Sequence, residues 1–401
     1  QLLFIFSKQH FFYIGEPGVG KTYFAKLICS CIKDAVFWEI QMTEGTTEKM
    51  LLGVDYDDPK SIRNAHFVFF DEMYKGKPEI LVKFLSFLNE RIFYENGQTI
   101  PVKLVSAIGA SNEFPVGELV RPFDDRFMGR SEIKRIQSRE NRKKFINKEF
   151  DKSKDLPLYF YLDDIDYVYE ESKKVVMTDD FEKLYLKLMD ATIKENVKCS
   201  DRKYGYAIEI LKTSAFLNGR DYLDYSDIFI MLHIAWSDYR DRTNMKRILN
   251  EVMFGKKDEV QDRLNKIDKN ITKIISIKNS DFKDVLNHTK EFSGKNKEEY
   301  YQFAKEQIVS ILNSINLEFD DLTEIANGYE QALEIEKKIN QNIFLYKEKN
   351  EVYTTEVTQS MVRLYERIEK NRNELNEFIM NNRTIEDYED VYYKEDFAKI
   401  S

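Results

Sequence analysis

Eight consecutive residues, Gly15-Glu16-Pro17-Gly18-Val19-Gly20-Lys21-Thr22, have the types and the spacing to cradle a polyphosphate. The glycines let the backbone wrap tightly and point successive N–H groups inward. A helix beginning near Lys21 would add its unsatisfied N-terminal donors to the same anion site. Lys21 can reach the β- and γ-phosphates, and the Thr22 hydroxyl can ligate Mg²⁺. Further along, the apolar run Phe67-Val68-Phe69-Phe70 ends in two carboxylates, Asp71 and Glu72. Their roles require adjacency: Asp71 can support Mg²⁺ through water, while Glu72 orients and deprotonates the attacking water. A third apolar run leads into Ser111-Asn112-Glu113, where the Asn112 amide can hold that same water, although Asn also begins turns. Downstream, Arg126 is a candidate to enter a neighbouring subunit's site and offset charge on the transferred phosphoryl group. Arg130, close by, ranks second for that role.

These groups need a scaffold that brings three strand ends together. Phe11–Ile14 reads as a strand entering the glycine-rich turn, Phe67–Phe70 as a strand buried on both faces, and Val102–Ile108 as a third strand. Between the last two, Ile80, Leu81, Phe84, Leu85 and Leu88 mark an amphipathic helix over Glu79–Arg91, with Pro78 at its start. Strand, helix and strand in this order predict an α/β core with a parallel sheet over residues 1–140. Strand signals then fade. Asn141–Phe150 is a polar, basic linker or exposed helix. Helical patterns around Leu184–Ile193, Tyr206–Leu217 and Tyr225–Tyr239 predict an all-α lid over residues 141–250, covering the nucleotide. Beyond it, Val260, Leu264, Ile267, Ile271 and Ile274 form a coiled-coil-like seam. With stripes at Ile308–Ile315, Leu333–Tyr346 and Val357–Ile379, this predicts a helical interaction arm over residues 251–401.

Composition narrows the class. Hydrophobic residues make up 42% of the 401, enough for real cores, while charged residues make up 33%, and no apolar run is long enough to span a bilayer. A net charge of −9 argues against sequence-independent nucleic-acid binding. Cys29, Cys31 and Cys199 do not have metal or redox-motif spacing, so reduced thiols and a cytoplasmic location are expected. The chain opens Gln1-Leu2-Leu3, almost directly on the phosphate loop, and a segment upstream is expected.

Taken together the motifs resemble the AAA+ ATPases, and within them the MoxR group and its regulatory ATPase variant A (RavA) proteins. Phe70-Asp71-Glu72-Met73-Tyr74-Lys75-Gly76-Lys77-Pro78-Glu79-Ile80-Leu81, continuing to Leu88-Asn89-Glu90-Arg91, is similar to that group's Walker B strand and following helix. Ala110-Ser111-Asn112-Glu113 resembles its sensor 1, Asp125-Arg126-Phe127 the segment with the arginine finger, and Ser200-Asp201-Arg202-Lys203 with Ala207–Arg220 its lid. The resemblance spans about residues 10–240. It departs between Thr43 and Asn64, where the group carries a longer insertion and this chain makes an abrupt join around Tyr56–Ser61.

The resemblance implies a ring, usually of six subunits, that binds ATP and Mg²⁺. It implies that Arg202 is the sensor 2 residue, contacting the nucleotide from the lid. Lys21, Thr22, Asp71, Glu72 and Arg202 would then come from one subunit and Arg126 from the next. It further implies chaperone-like remodelling or regulation of a protein client or adaptor through the C-terminal helices, commonly a von Willebrand factor A domain protein. Two other readings compete: a nucleic-acid-associated or defence-system motor, which can use GTP, and a nucleotide-gated scaffold with little turnover.

Overall fold

The computed structural model describes residues 1–47, 50–51, 61–95, 98–115, 117–147, 159–254, 334–335 and 337–345, with residues 269 and 370 alone. The chain divides into two compact units, Gln1–Val252 with Lys338–Lys347, and Met253–Lys337 with Glu348–Ser401. The expected seam over Val260–Ile274, the stripes at Ile308–Ile315 and Val357–Ile379, and the join from Tyr56 to Lys60 lie outside the described residues.

In the first unit, helix α1 (Leu2–Phe6) precedes strand β1 (Phe11–Ile14), and the phosphate loop connects β1 to α2 (Lys21–Ser30). The two-residue strand β2 (Ile32–Lys33) and then β3 (Phe37–Gln41) lead toward β4 (Phe67–Asp71). All four residues of β1 and the first four of β4 are buried, as continuously apolar strands covered on both faces must be. A 3-10 turn at Met73–Lys75 is followed by α3 (Pro78–Lys83) and α4 (Leu85–Asn89). Next come β5 (Ile92–Glu95), β6 (Gln98–Pro101), β7 (Ser106–Ser111), α5 (Arg121–Asp124) and β8 (Gly129–Glu132). Five strands form one sheet in the order β3-β4-β7-β1-β8, and every pairing in it is parallel. That order sets β4 and β1 on either side of β7, so three chemistry-bearing strand ends are neighbours.

The sheet differs from the sequence expectation in two ways. The third strand starts at Ser106 rather than Val102, because Val102, Lys103 and Val105 donate their N–H groups to carbonyls of Arg91, Arg63 and His66 as the chain turns into the sheet. The helix expected over Glu79–Arg91 is interrupted at Phe84, whose φ is −85° and ψ 1°. Its ring meets Phe70, Phe87 and Phe93 edge-on at 5.6–5.9 Å. Such pairs contribute about 0.5–1.5 kcal/mol each beyond the area they bury. That is comparable with what an interrupted helix turn loses.

After β8 come α6 (Arg139–Ile146), exposed along its length, and a short β9 (Phe160–Tyr161) paired with β2. Helices α7 (Leu162–Ser172), α8 (Asp179–Lys194), α9 (Asp201–Leu217) and α10 (Tyr239–Phe254) follow. Thr178 and Ser200 cap α8 and α9 by accepting the N–H of Phe181 and Lys203. The α-helix expected over Tyr225–Tyr239 is instead a 3-10 segment, Asp227–His233. Ile228 through Leu232 are buried on every side, so no polar face exists to impose a 3.6-residue period. The wholly buried Asp227 ties this segment to α9: it accepts two bonds from Arg220, at 2.6 and 2.8 Å, and one from the Ser214 hydroxyl at 2.9 Å.

A short piece from the far end of the chain completes the same unit. Asn342 is 3% exposed, and its amide donates to Ser226 at 3.2 Å and Asp227 at 3.3 Å. Ile339 and Leu345 are buried on either side of it. The arm expected to begin at 251 therefore returns part of itself to the lid. No helix among the described residues is long and apolar enough to cross a membrane.

Candidate functional site

The site is built where β1, β4 and β7 end. Register places Ile14 opposite Ser111 and Phe70 opposite Gly109, so the phosphate loop, the Asp71–Glu72 pair and Asn112 leave the sheet at one edge. The loop's glycines are forced by geometry. A Cβ at Gly15 would lie 2.3 Å from the Ile133 carbonyl oxygen of the strand alongside. Gly20, at φ 93°, sits at the head of α2, and no side chain caps that helix. The first-turn N–H groups of α2 are thus left for an anion.

Lys21 is buried, and its ammonium donates to the carbonyls of Gly15 at 2.7 Å and Glu16 at 3.1 Å. Burial lowers its pKa, while Glu72 and Asp71 pull it back up. The Thr22 hydroxyl donates to Asp71 Oδ2 at 3.1 Å, and Asp71 Oδ1 accepts the Glu72 N–H at 3.0 Å. Thr22 and Asp71 fit Mg²⁺ in the way that ion is ordinarily held, by a hydroxyl and a carboxylate with phosphate oxygens and water as the other ligands. A self-contained cage is not needed for this, and among the described residues no group of three His, Cys, Asp or Glu forms one.

Glu72 has the left-handed backbone conformation, φ 49° and ψ 43°, which costs a non-glycine residue about 1–2 kcal/mol. Its Oε2 is buried without a hydrogen-bond partner and lies 3.4 Å from the Lys75 ammonium. The Asn112 side-chain oxygen is likewise buried and unpartnered. Strain at Glu72 and an unmet amide oxygen at Asn112, gathered at one strand edge, suit a ligand-binding role better than a purely structural one.

Arg126 lies in a different environment. It donates to the Pro122 carbonyl at 2.6 Å, its Nε is buried without a partner, and it lines a cavity of about 510 Å³ with Phe84, Asn89, Glu90 and Phe93. Burial lowers its pKa and the neighbouring Arg202 lowers it further. The structure therefore groups Arg202 with Arg126. The charges acting on Lys21 are instead Glu72, Asp71 and Lys75. Packing accounts for this neighbourhood: Ser200, the cap of α9, donates to Asp125 Oδ1 at 2.8 Å and so docks the start of that helix beside the 121–126 segment. Arg130, second choice for the finger, is 0% exposed and bonded to Asp124 Oδ2 at 2.5 Å, with its guanidinium over the Phe12 ring. It is a core cation.

Sequence reasoning missed the groups that hold this junction. Tyr74 donates to Asp124 Oδ1, and Lys203 reaches the same cluster from α9 with its ammonium buried and unpartnered. Burial pushes the Lys203 amine down to about 8; Arg130 pushes the same way, while Asp124, Cys199 and Asp125 oppose. The only sequence signal was a Lys directly following Arg202, which reads as an exposed lid charge.

A lysine pKa lowered in the folded chain means the unfolded chain holds more protons between pH 8 and the ordinary 10.5, so stability rises with pH across that window. Below pH 8 the full cost of burying the ammonium applies. Lys203→Met is accordingly expected to raise stability at pH 7 by on the order of 2–3 kcal/mol, a gain that disappears by about pH 10. Chemical denaturation at several pH values checks this, and a variant no more stable at pH 7 than the native chain would refute it.

Comparison with known proteins agrees with this geometry. Residues 10–127 match the family model of the AAA domain, dynein-related subfamily, and residues 177–249 match that of an AAA lid domain. Two uncharacterized proteins of Methanocaldococcus jannaschii are similar to the chain. MJ0812 is 32% identical over 250 residues, covering 58% of this chain and 65% of its own length. MJ0079 is 30% identical over 291 residues, covering 68% and 75%. The chain thus spans just under two thirds of MJ0812. A crystal structure of a candidate ATPase from Cytophaga hutchinsonii shares the fold at a TM-score of 0.50 and 18% identity, over 63% of this chain and 86% of that one.

Proposed function

We propose that this chain, which belongs to the AAA+ ATPase family, hydrolyses ATP at sites shared between the subunits of a ring and couples turnover to remodelling or regulating a partner protein. One observation carries this reading: Arg126 and Arg202 lie together, and the charges that act on Lys21 do not include them. Two neighbouring guanidiniums, with the repulsion of Arg202 acting on Arg126 ahead of the opposing Asp125 and Glu90, are suited to an anion brought by another molecule.

In this mechanism the uncapped start of α2 and Lys21 bind the β- and γ-phosphates. Thr22, with Asp71 through water, would hold Mg²⁺, which supplies charge neutralisation at the phosphates. Glu72 accepts the proton of the attacking water, and Asn112 aligns that water. The next subunit inserts Arg126 to stabilise the transition state, and its Arg202 contacts the same nucleotide. A hexameric ring, a MoxR-type and RavA-like client relationship and a von Willebrand factor A domain partner are parts of this proposal supported by family resemblance, and a cytoplasmic setting is a part supported by the cysteine usage. Direct nucleic-acid contact is a second reading with one observation in its favour, the exposed α6 carrying Arg139, Arg142, Lys143 and Lys144.

The test is Mg²⁺-dependent turnover of ATP and GTP against protein concentration. Turnover per chain is expected to rise steeply as rings assemble. A rate per chain that does not vary with concentration would mean a self-contained site. Absence of turnover in the assembled protein would favour a nucleotide-gated scaffold, and strong stimulation by duplex DNA at low salt would favour the nucleic-acid motor.

A further inference from the structure

The two halves of the proposed site lie at opposite ends of one chain of direct, part-buried contacts. At one end is the strained Glu72, followed directly by the 3-10 turn Met73–Lys75. Tyr74 in that turn packs its ring on Phe12 of β1, centroids 5.4 Å apart, and donates its hydroxyl to Asp124 Oδ1. Asp124 is 5% exposed and closes α5; its second oxygen is held by Arg130. The next residue, Asp125, accepts the Ser200 hydroxyl at 2.8 Å, and Ser200 caps the helix that carries Arg202. The residue after Asp125 is Arg126 itself. Direct side-chain contacts of this kind pass a displacement from one segment to the next.

We infer that Tyr74 is a positioning residue that links the water-activating turn of one site to the arginines offered to the next. Its hydroxyl makes a direct polar contact from the Glu72 turn to α5. A γ-phosphate that draws Glu72 and its water into line rotates the turn that carries Tyr74. The Tyr74–Asp124 bond then shifts the Asp124–Asp125–Arg126 segment and the head of α9 with it. Nucleotide state at one site would in this way set arginine placement at its neighbour. The inference rests on the proposed function, because it presumes that Glu72 faces a γ-phosphate.

A purely structural role for Tyr74 predicts a loss of stability and nothing more, so the test reads coupling separately. Amide hydrogen exchange over residues 121–128 is measured in the native chain with and without Mg²⁺ and a non-hydrolysable ATP analogue, and then in Tyr74→Phe, with nucleotide affinity measured for both. The native chain is expected to show several-fold slower exchange in this segment when the analogue binds. Tyr74→Phe is expected to bind the analogue with unchanged affinity while that protection is lost. Protection that survives in Tyr74→Phe overturns the inference. So does a native chain that binds the analogue without any change at 121–128, a result that needs no variant to fold. A native chain that fails to bind nucleotide at all would overturn the proposed function, and this inference with it.

Discussion

Arg126→Ala is expected to lower ATP turnover by about 10³- to 10⁵-fold while leaving nucleotide affinity nearly unchanged, the range seen when an arginine finger is removed. The size of the effect follows from where the guanidinium acts. It meets charge that develops only as the phosphoryl group transfers, so deleting it raises the barrier without weakening ground-state binding. Among the described residues the Arg126 side chain donates to the Pro122 carbonyl, and its loss leaves no buried charge behind. The fold is therefore expected to survive. Steady-state kinetics with a fluorescent-nucleotide binding assay measures both quantities. Turnover within tenfold of native would remove Arg126 from the mechanism, and Arg202→Ala would become the next variant to measure.

Glu72→Gln is expected to reduce turnover by about 10²- to 10⁴-fold, the contribution of a positioned general base, again with nucleotide still bound. Gln keeps the length and polarity of the side chain, so the left-handed backbone and the Asp71 contact to the Glu72 N–H can persist. What is lost is a group that can take a proton. Because the proposed mechanism has Glu72 act within its own subunit and Arg126 across the interface, mixing the two inactive variants provides a sharper result than either alone. In randomly mixed rings about a quarter of the interfaces pair an intact Glu72 with an intact Arg126, so activity should reappear. No recovery on mixing would mean that each site takes both residues from a single subunit. Arg202→Ala, placed in the same experiment, is expected to be rescued by Glu72→Gln as Arg126→Ala is. Failure of that rescue alone would return Arg202 to its own subunit's nucleotide.

Much of this site was legible in the chain because its chemistry is local. A phosphate loop needs glycines and a Lys-Thr pair in fixed succession, and a strand that ends in two carboxylates announces itself by an apolar run that stops abruptly. Such signals need no knowledge of distant residues. The same locality identified the α/β core, since strands buried on both faces are continuously apolar. It failed where periodicity carried no information. Asp227–His233 is buried all round and folds as a 3-10 segment, and the Glu79–Arg91 stripe survives an interruption at Phe84 because three other rings set that position.

What tertiary structure alone decided is which charges share a place. Arg126 and Arg130 are four residues apart and indistinguishable by type, yet one lines a cavity and the other is sealed against Asp124 and Phe12. Arg202 and Lys203 are adjacent, yet one is exposed beside Arg126 and the other buried without a partner. Burial, and the long-range partners that come with it, set what a charged side chain can do, and neither is written in the few residues around it. By itself the sequence determined a phosphate loop and a buried strand that ends in two carboxylates. The packing of α9 onto the segment after α5 decided which arginines are neighbours.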